Sequence, residues 1–438
     1  MNTLLLAAAF AMVVRSLAAN RLDRWYLGAP IVMVLAGVAV GLFNVSAIAE
    51  GLNTEASQHA AEIILAVLLF VDATEVRAGR LWGAYPGLVA RVLLVAMPIS
   101  LALAAVAGWL LFPDLPWAVL LLIACVTVPT DFAPAERVVR DPALSVRVRS
   151  TLNVESGYND GIVSPLFLFA LILAGTTSET RTPLEALATV LPFAIKALVA
   201  GVVIGVLLGW LMDRAHQAGW VSEQSARVAV LLAPLLTYTA TVAIDGNGFV
   251  ASFVCGIAFR YVHRILKARH VHKGRAEART DSLNTDLHLL EDVTGLLTMT
   301  MWFVVGISAV LIVSLGVSWQ EVLFCAAVLT VIRFVPVLLS LTGSKLSGRE
   351  RTLIGALGPR GTTTIVFGLL AFNKLPEGTA ADTILTITVV CVLGSVALHG
   401  IGAGPVAQLM AARRKPAEPR SVQPADPGQA GSSTESIR

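Results

Sequence analysis

Charge is scarce in this sequence. Asp, Glu, Lys and Arg together supply 14% of 438 residues, against roughly 25% in a soluble domain. With 56% hydrophobic residues and a mean hydropathy of +0.77, the polar surface is too small to coat the roughly three soluble domains that this length suggests. A water-soluble enzyme is thereby excluded. Charge of one sign is scarce as well: 32 Lys and Arg against 29 Asp and Glu leave +3, too little to argue for a nucleic-acid partner. Cysteine is limited to Cys125, Cys255, Cys325 and Cys391, each inside an apolar run and without CxxC spacing. These read as small core residues, neither disulfides nor metal ligands. The stretch Gly246–Gly256 mimics a dinucleotide fingerprint but follows no strand and begins an apolar helix, so no cofactor is expected.

Long apolar runs are abundant. A transmembrane helix takes about 20 apolar residues, and runs between charged or Gly/Pro-rich breaks predict thirteen spans: 3–19, 26–43, 58–74, 86–112, 117–133, 150–174, 187–212, 226–243, 247–262, 285–312, 319–341, 352–373 and 380–411. The first lacks the basic flank of a signal peptide. Segments after odd-numbered spans carry 23 Lys and Arg, seven of them between Arg260 and Arg279, whereas those after even-numbered spans carry two, Arg181 and Lys374. The positive-inside rule turns this contrast into an outside N-terminus and a cytoplasmic C-terminus, as expected for a multi-pass protein of the cell inner membrane. The basic loop around His263–His272 reads as a surface facing anionic lipid headgroups, with a metal or pH-sensing cluster as the sharper alternative. The membrane portion is expected to cover residues 1–411, and the Pro-, Ser- and Gly-rich tail 412–438 to be disordered.

An ionisable group at membrane depth costs at least about 2.5–3.5 kcal/mol by insertion scales, so each needs a partner or a role. The fifth span contains Val128-Pro129-Thr130-Asp131-Phe132-Ala133-Pro134. Two prolines remove two donors and interrupt the helix, leaving carbonyls and half-helix ends beside a carboxylate. The sixth span begins with Glu155-Ser156-Gly157-Tyr158-Asn159-Asp160. Glu155 and Asn159 stack at i, i+4, and Ser156 and Asp160 form the adjacent stack. These hard oxygen ligands suit a monovalent or divalent cation and do not suit thiophilic metals. Late in the chain Arg333 lies mid-span, and Arg360 sits in Gly358-Pro359-Arg360-Gly361, a second interruption seven spans after the first. An odd shift predicts an inverted repeat: residues 1–186 and 226–411, with 187–225 as a connecting helix. Each buried arginine needs a carboxylate such as Glu155 or a helix end as partner. Asp72 and Glu75, at the inner end of span three, read as an interfacial cap or, more sharply, a cation-attracting vestibule.

Thr130-Asp131, followed by Asn153-Val154-Glu155-Ser156-Gly157-Tyr158-Asn159-Asp160-Gly161, resembles the bacterial NhaP-like branch of the monovalent cation:proton antiporters. The run Ala29–Gly37, the stretch Gly246–Gly256 and Gly358–Gly361 are similar to it too. Phe132 stands where the family commonly has proline, and Pro134 follows. The resemblance implies an all-α polytopic fold of about thirteen transmembrane helices, with inverted repeats and two crossed interrupted helices. It also implies a core domain, a separate dimerisation domain and a homodimer. Asp160 would be the exchanging carboxylate, aided by Asp131, Thr130 and Ser156, with a monovalent cation at Asp160 and Asp131. Asn159 and Glu155 would support the site, Glu155 paired to Arg333, with Arg360 near the crossing.

On that reading the protein exchanges Na⁺ or K⁺ for H⁺ by alternating access, cation and proton competing for Asp160. Neutral Asn159, where related exchangers carry a second aspartate, implies electroneutral exchange. A sodium-coupled solute symporter on a similar scaffold is the rival. An intramembrane aspartyl protease is excluded by the missing Gly-x-Gly-Asp motif, so a transporter and not an enzyme is expected.

Overall fold

The computed structural model describes residues 2–25, 27–43, 54–75, 82–135, 139, 141, 144–175, 183–272 and 282–401, and among these the chain is helical with no strand. It opens with α1 (Asn2–Leu17), short α2 (Ala19–Arg24), α3 (Ala29–Gly41) and α4 (Glu55–Glu75). Next, α5 (Pro86–Leu111) starts on a proline and widens into a π-helical turn at Val92–Ala96. Then α6 (Trp117–Thr127) stops short, a 3₁₀ turn follows at Ala133–Ala135, and α7 (Val146–Gly175) runs unbroken for 30 residues. Four long helices come after it: α8 (Pro183–Gln217), α9 (Glu223–Val242), α10 (Gly248–His272) and α11 (Ser282–Leu315). The last group is α12 (Trp319–Leu329), α13 (Val331–Ser340), α14 (Gly348–Ala356), α15 (Thr362–Lys374) and α16 (Thr379–Ser395), the last passing into a π-helical turn at Val396–Ile401.

Side chains fix several starts. Ser222 caps α9, and Ser318 and Ser347 form capping boxes with Glu321 and Glu350 at α12 and α14. In such a box the serine and the glutamate each satisfy one orphan N–H of the first turn. Asn247 Oδ1 accepts from the N–H groups of Phe249 and Val250 and so starts α10.

Among the described residues nine helices are long and apolar enough to cross a membrane, and three apolar helices are shorter: Leu6–Leu17, Ala29–Gly41 and Trp117–Thr127. This is a multi-pass membrane protein. The expected thirteen crossings are not all countable by length, for a physical reason. A half-helix of 13 residues such as α15 rises only about 20 Å, short of the ~30 Å hydrocarbon layer. Hydropathy also marked only the apolar part of α10, which continues to His272. The rest of the basic loop, Arg77 and Arg80, Arg137 and Arg140, Arg181 and the tail 412–438 lie outside the described residues.

Two packing groups surround the middle of the chain. On one side α3 lies against α11, α8 against α10, and α10 also against α4 and α9. These contacts run over glycine. A Cβ on Gly37 would strike the Phe303 carbonyl and the Cα of Gly306, and a Cβ on Gly205 would lie 2.8 Å from the Ala258 Cβ. Small residues let helix backbones touch where no hydrophobic effect drives association in lipid. On the other side α6 packs on α7, and α12 and α15 on α16. Along α8, Leu198, Val199, Val202, Val203 and Leu207 stay exposed, an apolar face suited to lipid.

Candidate functional site

α6 cannot pass Pro129, whose ring clashes with the preceding turn and which offers no N–H. Its last helical residue is Thr127, and Val128 closes it by donating to Ala124 O. In an unbroken helix the Asp131 N–H would bond to Thr127 O. Here Asp131 N donates instead to Pro359 O at 2.9 Å, in the second interruption. Thr127 O is recovered by Arg360, whose Nε donates to it. The two broken segments therefore cross, each supplying what the other lost. The expected interruption between Pro129 and Pro134 is present, and Phe132 is buried within it.

The second break runs from Leu357 to Gly361. Its backbone groups are met by side chains from elsewhere, as burial demands. Asp131 Oδ2 accepts the Thr362 N–H at 2.6 Å, and Oδ1 accepts from Ala133 N at 2.8 Å. A carboxylate thus sits on the positive N-terminus of α15, while the Arg360 guanidinium sits at the negative C-terminus of α6, both favourable against the helix dipoles. Arg360 also donates to Gly358 O and Val328 O. A Cβ at Gly361 would occupy the Asp131 carboxylate position, and one at Gly358 would collide with the Arg333 side chain.

α7 presents the sixth-span motif to this crossing. Glu155, Asn159 and Asp160 are all buried, at 4%, 2% and 2% exposure. Glu155 and Arg333 form a two-pronged pair, 2.6 Å from Nη1 to Oε1 and 3.1 Å from Nη2 to Oε2, and Arg333 Nη2 also donates to Ile354 O and Leu357 O. Such planar charge-assisted pairing is the geometry arginine is built for. Asn159 Nδ2 donates to both Thr130 O (2.7 Å) and Thr130 Oγ1 (2.9 Å), and its Oδ1 accepts from Asp160 N. Glu155, Asn159, Arg333 and Arg360 share one small cavity with Ser100 and Pro129, so the Glu155/Asn159 stack faces the crossing.

Asp160 stands apart from this closed set. The Thr363 side chain is within hydrogen-bonding reach of its carboxylate, and the charges of Asp131 and Arg360 act on it. Its Oδ1 is fully enclosed and accepts no hydrogen bond. A buried polar atom without a partner is the exception that calls for a role. Ser156 is half-buried one turn earlier on the same helical stack. Asp72 is half-buried near the C-terminal end of α4, and the Glu75 side chain lies outside the described residues.

Several features escaped sequence reasoning. The span holding Arg333 is itself broken, at Thr330 (φ −120°, ψ −92°), with no proline or glycine to announce it. Ser395 and His399 reach the second break from α16 and its π turn. Their signal was two polar residues at i, i+4 in an apolar span. At the far end of α15, Lys374 pairs with Glu62 of α4 at 3.1 Å, and Tyr238 of α9 donates to the same carboxylate at 3.0 Å. An ionisable residue in the third span and one of the two cations on the sparsely charged side were the clue. The Cys325 thiol of α12 donates to Ile387 O of α16 at 3.4 Å, a contact between residues distant in sequence.

This crossed arrangement has a counterpart among solved structures. The sodium proton antiporter MjNhaP1 from Methanocaldococcus jannaschii superposes with a TM-score of 0.73 at 21% identity, covering 93% of this chain and 98% of that one, which places the chain in the same fold. By sequence it is similar to the K(+)/H(+) antiporter NhaP2 of Shewanella sp. (strain ANA-3), 24% identical over 305 residues, or 69% of this chain and 49% of NhaP2. The chain thus spans about half the length of the NhaP2 relatives it matches. It is also similar to the Na(+)/H(+) antiporter NhaH of Halobacillus aidingensis, 26% identical over 387 residues, covering 86% of this chain and 90% of NhaH. Residues 6–409 match the family described as "Sodium/hydrogen exchanger, transmembrane". With nearly the whole membrane portion matched, the chain belongs to the transmembrane sodium/hydrogen exchanger family.

Proposed function

We propose that this protein is a monovalent cation:proton antiporter, taking Na⁺ or K⁺ in exchange for H⁺ at Asp160. The observation that carries the reading is the unpartnered, buried Oδ1 of Asp160 beside a crossing whose other charges are already matched. An ionised carboxylate enclosed by apolar walls needs a counter-charge. A proton removes the charge and a cation balances it, but one carboxylate does not accommodate both. Either ligand lowers the barrier to moving the site between the two sides, and the empty ionised form keeps it, which couples the two fluxes.

The donor set favours one charge per cycle. Asp131 is engaged by two backbone N–H groups, Glu155 by Arg333, and position 159 is a neutral amide. That supports electroneutral exchange. Thr130, Ser156 and Asp131 would complete the oxygen shell around the cation. Asn159, Glu155, Arg333 and Arg360 would hold the crossing in place. The relatives NhaP2 and NhaH, named for K⁺ and Na⁺, bracket the cation class.

The same reading includes residues 1–186 and 226–411 as inverted repeats joined by 187–225, and a homodimer. It places the protein in the cell inner membrane with the N-terminus outside and the tail 412–438 in the cytoplasm. The sided distribution of Lys and Arg supports this orientation. The test uses everted vesicles carrying a preset pH gradient. Added Na⁺ or K⁺ should collapse the gradient without any organic solute, and Asp160→Asn, inserted in equal amount, should abolish the response. Exchange retained in that variant would overturn the assignment.

A further inference from the structure

The accounting of the second break leaves two side chains that the exchange step does not use. Of the backbone groups between Ile354 and Thr362, Arg333 takes Ile354 O and Leu357 O, Arg360 takes Gly358 O, and Asp131 takes Pro359 O and the Thr362 N–H. Two more are met from α16. Ser395 Oγ accepts the Arg360 backbone N–H at 2.6 Å, and His399 Nε2 lies 3.2 Å from Ala356 O. A carbonyl only accepts, so Nε2 carries the hydrogen of this bond. Ser395 is 0% exposed and His399 5%. The π-helical turn that carries His399 also packs on the 3₁₀ turn of the first break, with Pro134 O 3.4 Å from a Cβ built on Gly400. A π turn inside an α-helix often marks a functional position.

We propose that Ser395 and His399 are positioning residues for exchange. They clamp the polypeptide on either side of Gly358-Pro359, and so hold the Arg360 guanidinium at the end of α6 and within electrostatic reach of Asp160. Asp131 fixes the break from the first interruption, while Ser395 and His399 fix it from α16 and its π turn. Without them Arg360 keeps its charge but loses its fixed distance from Asp160. A guanidinium favours the ionised form of a carboxylate near it and a second carboxylate opposes it, and Arg360 and Asp131 are both fixed in the crossing that α7 faces. Asp131 stays tied to Thr362 and Ala133, so loosening Arg360 lets protons hold Asp160 against the cation to higher pH. This proposal rests on the reading of Asp160 as the exchange site.

The test compares Ser395→Ala and His399→Ala with Ser395→Thr and His399→Gln in the full chain. Glutamine places an amide N–H near the Nε2 position, and threonine keeps the hydroxyl. Exchange with Na⁺ or K⁺ is measured against pH in vesicles. In detergent, the pH dependence of cation-induced thermal stabilisation reports binding without transport. The alanine variants should require about three- to tenfold lower proton concentration for half-maximal response, a shift of about half to one pH unit, and the conservative pair should restore the wild-type profile. If an alanine variant fails to fold, His399→Asn, whose amide is too short to reach Ala356 O, takes its place and should show the same shift. Unshifted, folded variants overturn the proposal, as does a His399→Gln profile equal to that of the shifted variants, which would mean lost packing and not a lost donor. Wild-type protein that neither exchanges nor binds a cation overturns the exchange reading, and this proposal with it. A wild type that responds while the variants match it overturns this proposal alone.

Discussion

The crossing and the glycine seams hold helices together by opposite means. At the crossing, Asp131, Asn159, Arg333 and Arg360 satisfy backbone groups that two broken helices cannot satisfy themselves, and Glu155 pairs with Arg333. At the seams, α3 meets α11 and α8 meets α10 backbone to backbone across Gly37, Gly306, Gly201 and Gly205, with no charge involved. The first region is specified by hydrogen-bond geometry and the second by shape. Charge that must be matched at each step of a cycle belongs in the first, and a contact that only needs to stay put belongs in the second.

Breaking the crossing should therefore carry the largest penalty. Arg333→Ala leaves Glu155 buried at 4% exposure without its partner and strips donors from Ile354 O and Leu357 O. Removing one member of a buried pair costs about 3–5 kcal/mol. The expected outcome is little folded protein after detergent extraction, with partial recovery when Glu155→Gln is added. Recovery is incomplete because the two carbonyls stay unmet. A stable, active Arg333→Ala protein would show that the crossing is not held by this pair.

At the seam the penalty is steric and smaller. Gly37→Ala drives a methyl into the Phe303 carbonyl and the Gly306 backbone, an overpacking that costs typically about 1–3 kcal/mol. Thermal unfolding in detergent should report that loss, while the pH profile of exchange stays where it was. A shifted profile would mean that the seam and the crossing are energetically one region, and the comparison would fail.

How much of this was legible in the sequence follows the same division. Pro129, Pro134 and Gly358-Pro359 announced both interruptions, because proline removes a donor wherever it falls. The charge of Arg333 demanded a partner, with Glu155 or a helix end as candidates, but the pairing itself spans 178 residues and was not readable from the residues alone. The seams were not read, since glycine in an apolar span carries no mark of the helix it touches. Nor was the break at Thr330, whose backbone departs from helix beside Arg333 without any residue that forces it. The pairing of Ser395 with the Arg360 N–H joins residues 35 apart, and only the folded path of α16 brings them together. Local chemistry is written locally, whereas contacts across the bundle are not.

A third kind of contact lies between these extremes and should matter less than either. Lys374 and Glu62 pair at 3.1 Å, but the lysine side chain is 41% exposed. Pairs of this kind contribute about 0–1 kcal/mol and weaken with salt. Glu62→Gln should lower stability by no more than that, with the difference shrinking as ionic strength rises. Tyr238 still has an acceptor in the amide oxygen. A loss as large as that of Arg333→Ala would place this outer pair in the same class as the crossing.

The smallest effect is expected at Glu350, which precedes the twelfth span and lies at the start of α14. Its carboxylate accepts the Ser347 N–H at 2.9 Å and the Ser145 hydroxyl at 2.7 Å. The Ser347 backbone donor first, and the Ser145 side chain next, hold it below the ordinary value of 4.5. A depressed folded-state value means that its contribution is complete above the unfolded pKa and disappears as pH falls through the lower folded one. Wild type should therefore exceed Glu350→Gln in stability by a constant small margin from neutral pH down to about 5. Below that the margin should close, because the protonated acid no longer offers Ser347 a charged acceptor. Thermal unfolding of both proteins across pH 7 to 3 would measure it. A margin that widened toward acid would show that the box is held by the neutral acid, and that charge at this helix end contributes nothing beyond shape.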